Sequence, residues 1–442
     1  MSNPQAAATS PRQTVRTVIA STLGTVVEYY DFTLYATATA LVFNKIFFPS
    51  FDPLVGTLAA FSTFFIGYCA RPLGGLIFGH FGDRLGRKRM LIITMLIMGL
   101  GTFAIGLVPS YETIGVWAPI TLVVLRALQG IGIGGEYGGG MLMAIEHAKP
   151  GRQGLIGSLV HIGVPAGFLL PIAFLSALST MPEAEFLAWG WRVPFIFSLI
   201  LVALGLFIRF RIDESPAFVD AQREEQVASL PAAEVLKNHW GKVALGIGGK
   251  VAESGLFNIY AVFVISYAVT KLGLPKVMVL NAVLIGCLVE CVTLPFFGWL
   301  SDKVGRAPIY VAGAAFQALL ALFFFGLVDH GMTGITIAVT LGLAIGHGAM
   351  FGAQAAFYAG LFPTRIRYSG LSMIQQIGPI LGGGLSPIIA AALLARGNGD
   401  PSQIAIYMFA IALFSGLCAF VLGRITSDRA KVAKPLRSLA AE

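Results

Sequence analysis

Charge is scarce in this sequence. Only 12% of its 442 residues are Asp, Glu, Lys or Arg, where a soluble domain carries roughly 25%. That shortage excludes a water-soluble globular protein. Cysteine is rarer still: Cys69, Cys287, Cys291 and Cys418 all fall in apolar runs without metal-ligand spacing, which excludes a disulfide scaffold and a zinc site. They read as small apolar side chains. The net charge of +8 is scattered through short loops, and no basic stripe or tail is rich enough to grip nucleic acid. A G-x-G-x-x-G spacing at Gly130-Ile-Gly132-Ile-Gly134-Gly135 has no strand before it and lies mid-span, so it does not bind a dinucleotide. Without a metal or nucleophile constellation, neither an enzyme nor a cofactor is expected. The first seventeen residues are polar and small, and the first apolar run is too long for a signal core, so no cleavage is expected.

Apolar residues fill the space that charge leaves. They make up 56% of the chain, and mean hydropathy is +0.79. A membrane helix needs about 20 mostly apolar residues, and the chain offers twelve such runs: 18–43, 56–80, 90–109, 119–147, 152–178, 189–210, 241–268, 276–300, 308–328, 333–361, 368–395 and 402–424. With both termini inside, 22 Lys and Arg fall on the inner side and 4 on the outer, as the positive-inside rule requires. All five tryptophans stand at span ends, the place of interfacial anchors. The polar stretch 211–240 separates six spans from six. The expected division is therefore a tail 1–17, a bundle 18–210, a linker 211–240, a bundle 241–424 and a tail 425–442, with the tails and linker cytoplasmic.

One short loop organises this arrangement. Gly79 to Arg89 reads Gly-His-Phe-Gly-Asp-Arg-Leu-Gly-Arg-Lys-Arg, and Gly298 to Arg306 repeats it as Gly-Trp-Leu-Ser-Asp-Lys-Val-Gly-Arg. Asp83 maps to Asp302, Gly86 to Gly305 and Arg87 to Arg306, each 219 positions on. Gly86 supplies a residue that tolerates positive φ. Asp83 follows the C-terminal end of a helix, where negative charge is unfavourable, so a partner must compensate it. A loop repeated at half the chain's length marks a duplicated fold.

Asp83-Arg84-Leu85-Gly86-Arg87-Lys88 resembles the signature loop of the major facilitator superfamily, with the weaker copy at Asp302. Arg126-Ala-Leu-Gln129-Gly130 resembles its second motif. Glu28-Tyr-Tyr-Asp31-Phe32, Arg71-Pro72-Leu73-Gly74-Gly75, Gly134-Gly135-Glu136-Tyr137-Gly138-Gly139 and Glu214-Ser215-Pro216-Ala217-Phe218 are similar to its metabolite:proton symporter family, and Gly56 to Gly140 to the shikimate permease branch. The resemblance implies an all-α membrane protein of two pseudo-symmetric six-helix bundles rocking about a central cavity. It also implies a conformational clamp made by Gly79, Asp83, Arg84, Gly86, Arg87, Asp302, Gly305, Arg306 and Arg367. Asp83 would face the start of span eleven near Arg367, and Asp302 the start of span five. Glu290 in span eight departs from the shikimate pattern.

A charged side chain at a helix's midplane costs roughly 2.5–3.5 kcal/mol on insertion scales and marks a working site. The deep acids are Glu28, Asp31, Glu136, Glu253 and Glu290; the deep bases are Arg71, Arg126 and Lys250. Asp31, Glu136 and Glu28, with Arg126 as partner, are expected to couple protons. Gly24, Glu28, Asp31 and Tyr35 share one face of span one. Arg71, as a carboxylate fork, and Lys250, three residues before Glu253, are expected to meet substrate. Tyr35, Gln129, His161, His347, Gln354, Tyr358 and Gln376 are the expected polar lining. Five deep acids against three bases leave open whether any base is free to attract an anion.

The expected function is proton-coupled import of a small organic acid by alternating access. The partners would be an organic anion, protons and the lipid bilayer, in a monomer of a bacterial inner membrane. A symporter of a zwitterion such as proline or betaine is the first alternative, and a passive pore the second.

Overall fold

The computed structural model describes residues 11–49, 53–85, 87–136, 139–146, 148–149, 151–210 and 231–438, though side chains at 79–89 and 135–140 lie outside the description. Every regular element among these residues is helical. Among the described residues nine helices are long and apolar enough to cross a membrane, and Ile92–Leu107 is a shorter apolar helix. The earlier stretches are helical along Pro11–Ala38 and Pro53–Leu85.

Among the described residues four π-turns interrupt the helices, at Thr39–Phe43, Ile259–Phe263, Leu341–His347 and Ile380–Gly384. Such turns carry an extra residue and gather at functional sites. The first two stand 220 positions apart, at equivalent points of the two halves. The duplicated loop shows its turn at Gly305, whose φ of +114° is the left-handed setting that glycine tolerates; its counterpart Gly86 lies outside the described residues. The helix Pro231–Asn258 kinks at His239, where φ is −135°. Exposed Trp240 follows at once.

Four tryptophans, Trp117, Trp189, Trp240 and Trp299, are exposed at helix ends. Trp191 corrects the expectation that all five face the interface: it is fully buried. It packs edge-on against Phe43, Phe47 and Phe195, because burying its ring area in an aromatic cluster gains more than the interface would. Neighbouring Arg192 donates to the carbonyls of Gly106 and Val108 at 2.8 and 2.7 Å, closing the C-terminal end of the helix Arg87–Leu107.

The halves touch at both faces. On one side Asp302 receives the amides of Gly154 and Leu155 at 2.8 and 3.0 Å, while Arg306 donates to Gln153 Oε1 at 2.5 Å and to the Ala356 carbonyl at 2.9 Å. On the other, Glu183 Oε1 lies 2.5 Å from Lys45 Nζ and 3.4 Å from Lys276 Nζ. Between these ties lies the site.

Candidate functional site

The two halves enclose a cavity of about 40 Å³, space for a few water molecules. Its walls include Tyr29, Phe32, Tyr68 and Arg71 from the first half, and Lys250, Glu253, Phe257, Asn258, His347 and Phe351 from the second. Aromatic faces and four ionisable groups, Arg71, Lys250, Glu253 and His347, therefore share one small space.

Arg71 is the cation of the N-terminal wall. Its guanidinium carbon lies 4.4 Å from the Tyr68 ring centre and 5.0 Å from that of Phe32, and its buried Nε has no hydrogen-bond partner. Among the described residues it makes no salt bridge. Tyr68 in turn accepts from Asn258 Nδ2 at 3.0 Å, a bond that crosses between the halves.

Lys250 is the cation of the opposite wall, and it is occupied. Its Nζ lies 2.6 Å from Glu253 Oε2, the pair that i, i+3 spacing places on one face, and it donates to Gln354 Oε1 at 2.9 Å. Glu253 Oε1 lies 3.2 Å from His347 Nε2, and His347 Nδ1 meets Glu290. The π-turn Leu341–His347 ends on this histidine, turning it toward both acids.

Asp31 does not reach the cavity. With Glu28 it lines a separate pocket of about 10 Å³, among Gly24, Val27, Met95, Met98 and Val202, inside the N-terminal bundle. Thr102 lies beside its carboxyl, and Arg126 and Glu28 act on it through charge. Arg126 is sandwiched by rings, 4.2 Å from Tyr35 and 5.0–5.1 Å from Phe32 and Phe64. It donates to Gln129 at 3.3 Å, and Gln129 donates to Thr102 at 2.6 Å. Asp31, Arg126, Gln129 and Tyr35 thus form one buried group, one layer behind Phe32 and the cavity.

Other expected lining residues lie behind the wall in this conformation. Gln354 receives Lys250 and Gln375. Tyr358 meets Tyr310 at 3.1 Å. Gln376 donates across to the Gly134 carbonyl at 3.2 Å. His161 stacks flat on Phe351, rings 3.8 Å apart, with Nδ1 3.0 Å from the Phe351 carbonyl. The side chains of Glu136, Gly79, Asp83, Arg84, Gly86 and Arg87 are outside the described residues. Arg367 donates to the Phe362 carbonyl at 3.4 Å. Sequence reasoning placed Glu253 only as the neighbour of Lys250 and assigned no role to Glu290, Tyr68 or Asn258. Their depth was visible, but which helix each one faces was not.

Comparison with known proteins agrees with this architecture. The model of the Major Facilitator Superfamily matches residues 21–387, and again 254–439. The shikimate transporter of Escherichia coli K12 is 40% identical over 411 residues, covering 92% of this chain and 94% of its own. The proline/betaine transporter of the same organism is 35% identical over 427 residues, 94% of this chain and 84% of that one. A D-xylose-proton symporter crystal structure superimposes with a TM-score of 0.69 at 17% identity, over 92% of this chain and 97% of that one, a likeness of fold. A helical pair of halves closed about a charged cavity, matched along most of its length by transporters, places this chain in the major facilitator superfamily as a multi-pass inner-membrane transporter and not an enzyme.

Proposed function

We propose that this chain is a proton-coupled symporter importing a small organic acid. It would work by alternating access between bundles 18–210 and 241–424, across twelve spans with both termini cytoplasmic. The observation that carries the reading is Arg71. Glu253 engages Lys250, Glu290 engages His347, and Asp31 sits by Arg126. Arg71 faces the cavity, and among the described residues its guanidinium meets the rings of Tyr68 and Phe32 and no carboxylate. Among the described residues the deep acids therefore leave Arg71 to the cavity, and a guanidinium so placed is a ready fork for a carboxylate. One such cation favours an acid with a single carboxylate over a tricarboxylate. The rings of Tyr68, Phe32, Phe257 and Phe351 suit a cyclic or flat body. Asp31 is the proposed proton carrier, its charge answering to Arg126.

The same aromatic walls support a second reading. A quaternary ammonium gains on ring faces, so a betaine-like zwitterion would place its carboxylate on Arg71 and its cation among the rings. The relative named for proline and betaine adds weight to it.

Uptake into proteoliposomes of shikimate, benzoate, 2-oxoglutarate, citrate and betaine, with pH and voltage clamped separately, tests these readings. Accumulation of a monocarboxylate driven by outside acidity is expected. Preferential accumulation of betaine would move the assignment to the second reading. Unsaturating flux indifferent to the pH gradient would mean a passive pore.

A further inference from the structure

Four ionisable side chains from three helical segments meet on the C-terminal wall. His347 has Nδ1 against Glu290 Oε1 and Nε2 at 3.2 Å from Glu253 Oε1, while Glu253 Oε2 holds Lys250 at 2.6 Å. All are buried: Lys250 is 4% exposed, Glu253 3%, His347 2% and Glu290 0%.

Hydrogen counting fixes the number of protons here. A neutral imidazole offers one N–H and one lone pair. Both ring nitrogens of His347 face carboxyl oxygens, so a neutral ring between two ionised carboxylates would press its lone pair against an anion. One further proton is required, on the ring or on Glu290. Either placement makes the cluster neutral, Lys250 and that proton balancing Glu253 and Glu290. Glu290 Oε2 is buried without a hydrogen-bond partner. That suits the neutral acid, because an ionised carboxylate with a bare oxygen in a water-poor interior is costly.

The surroundings leave the count unchanged. Arg71 acts on Lys250 through its charge, and His161 lies against Phe351. The thiols of Cys287 and Cys291 feel the charge of Glu290, and the hydroxyls of Tyr68, Tyr310 and Tyr358 feel that of Glu253. Among the described residues, none of these hydrogen-bonds to the His347 ring or the Glu290 carboxyl.

We propose that Glu290, His347 and Glu253 hold a second transported proton, beyond the one carried at Asp31, and that Lys250 couples it to the cargo anion. This rests on the symport reading above. Lys250, Glu253 and His347 line the cavity, so water admitted from either face reaches the cluster, while in the closed protein the proton is trapped. An anion entering between Arg71 and Lys250 competes with Glu253 for the ammonium. Glu253, short of its cation, then binds the shared proton more tightly, so anion and proton load together. When the anion leaves inward, Lys250 returns to Glu253, water admitted from that side draws one carboxylate off the His347 ring, and the proton passes from His347 through Glu253 to cytoplasmic water. The emptied cluster is then the open, hydrated one and not the closed geometry. No bond other than those to the moving proton is made or broken.

The test is the proton count per anion in proteoliposomes, from the voltage and pH gradients at which net flux of the accumulated acid reverses, with shikimate as first probe. At least two protons are expected for the unaltered protein, and one fewer for Glu290→Gln. The Gln side-chain amide donates to His347 Nδ1 as the acid would but has no proton to give up. His347→Gln is the second variant, with the same expected loss. Equal counts in the unaltered protein and a folded variant would overturn the proposal. If neither variant folds, the unaltered protein decides: one proton per anion overturns it. Uptake indifferent to the pH gradient would instead remove the symport reading on which it stands.

Discussion

Asp302 sits on the amino-terminal end of the helix Gln153–His161, one carboxylate oxygen on the Gly154 amide at 2.8 Å and the other on the Leu155 amide at 3.0 Å. These are orphan donors of a helix start, which favour an anion. The loop of the second bundle thus ties itself to the first through backbone, a contact indifferent to the side chains of its partner. Asp302→Asn keeps the shape and removes the charge. Such interactions are worth about 0.5–2 kcal/mol, so the closed form should lose a few-fold to about thirtyfold of its population. Distances between spin labels at this face, on helices 153–161 and 276–304, would show the shift.

The same face depends on Gly298. A Cβ there would lie 2.5 Å from the Ser158 Cβ and 2.7 Å from the Gly154 carbonyl oxygen, so a side chain holds the helices apart. Gly298→Val should express and insert but fail to close on this side, cutting uptake by more than about tenfold. Spin-label distances stuck at the open value are the check, and closure with normal uptake would show that the backbone can yield.

Arg71→Lys preserves charge and loses the fork. A charge-assisted hydrogen bond contributes about 1.5–3 kcal/mol, so removal of one should raise the Kd for a carboxylate by roughly 10- to 100-fold. Arg71→Ala should abolish uptake. Isothermal titration with the acid accumulated best measures the first and proteoliposome uptake the second.

Asp31→Asn should lower the accumulation driven by a pH gradient by removing one of the two coupled protons, while leaving exchange of external for internal substrate, since Asp31 lies outside the cavity wall. Acid-driven accumulation at the unaltered level would release Asp31 from the coupling role.

The opposite face carries a different pH expectation. Glu183 has its carboxyl held below the usual range, first by the hydrogen bond from Lys45 and then by the charge of Lys276. A depressed carboxyl keeps its contribution above the ordinary value near 4.3 and loses it only as pH falls through the lowered one. The Lys45–Glu183–Lys276 tie should therefore stay constant from pH 8 to 5. Any acceleration of uptake in that window must arise deeper in the protein. Exposed pairs are worth about 0.2–1 kcal/mol, so Glu183→Gln should raise outer-face labelling of an introduced cysteine less than about fivefold.

The fold was legible because its signals are local or repeated. Long apolar runs, basic loops and the doubled Asp-x-x-Gly-Arg phrase each follow from the chemistry of a bilayer or of a tight turn. Within one helix the pairing of Lys250 and Glu253 was legible too, since three residues bring side chains to one face. Between helices that rule ends. Glu290, His347 and Glu253 lie on three different segments, and helix rotation about its own axis, set by packing, decides that they meet. Asp31 illustrates the converse. Its depth marked it as functional, yet its face turns toward Met95, Met98 and Val202 and away from the cavity. Glu183 was overlooked because an acid in a short loop gives no periodic signal.

The π-turns at Thr39–Phe43 and Ile259–Phe263 carry a mechanical implication. Each surplus residue rotates everything beyond it by about 100° relative to an unbroken helix, since 3.6 residues complete a turn. Both copies end in Val-Phe and are packed inside the protein, so the two bundles present their outward ends with the same offset. Excising one residue from a single copy would swing that end out of step with its twin, and only a matching excision in the other would bring the pair back into phase.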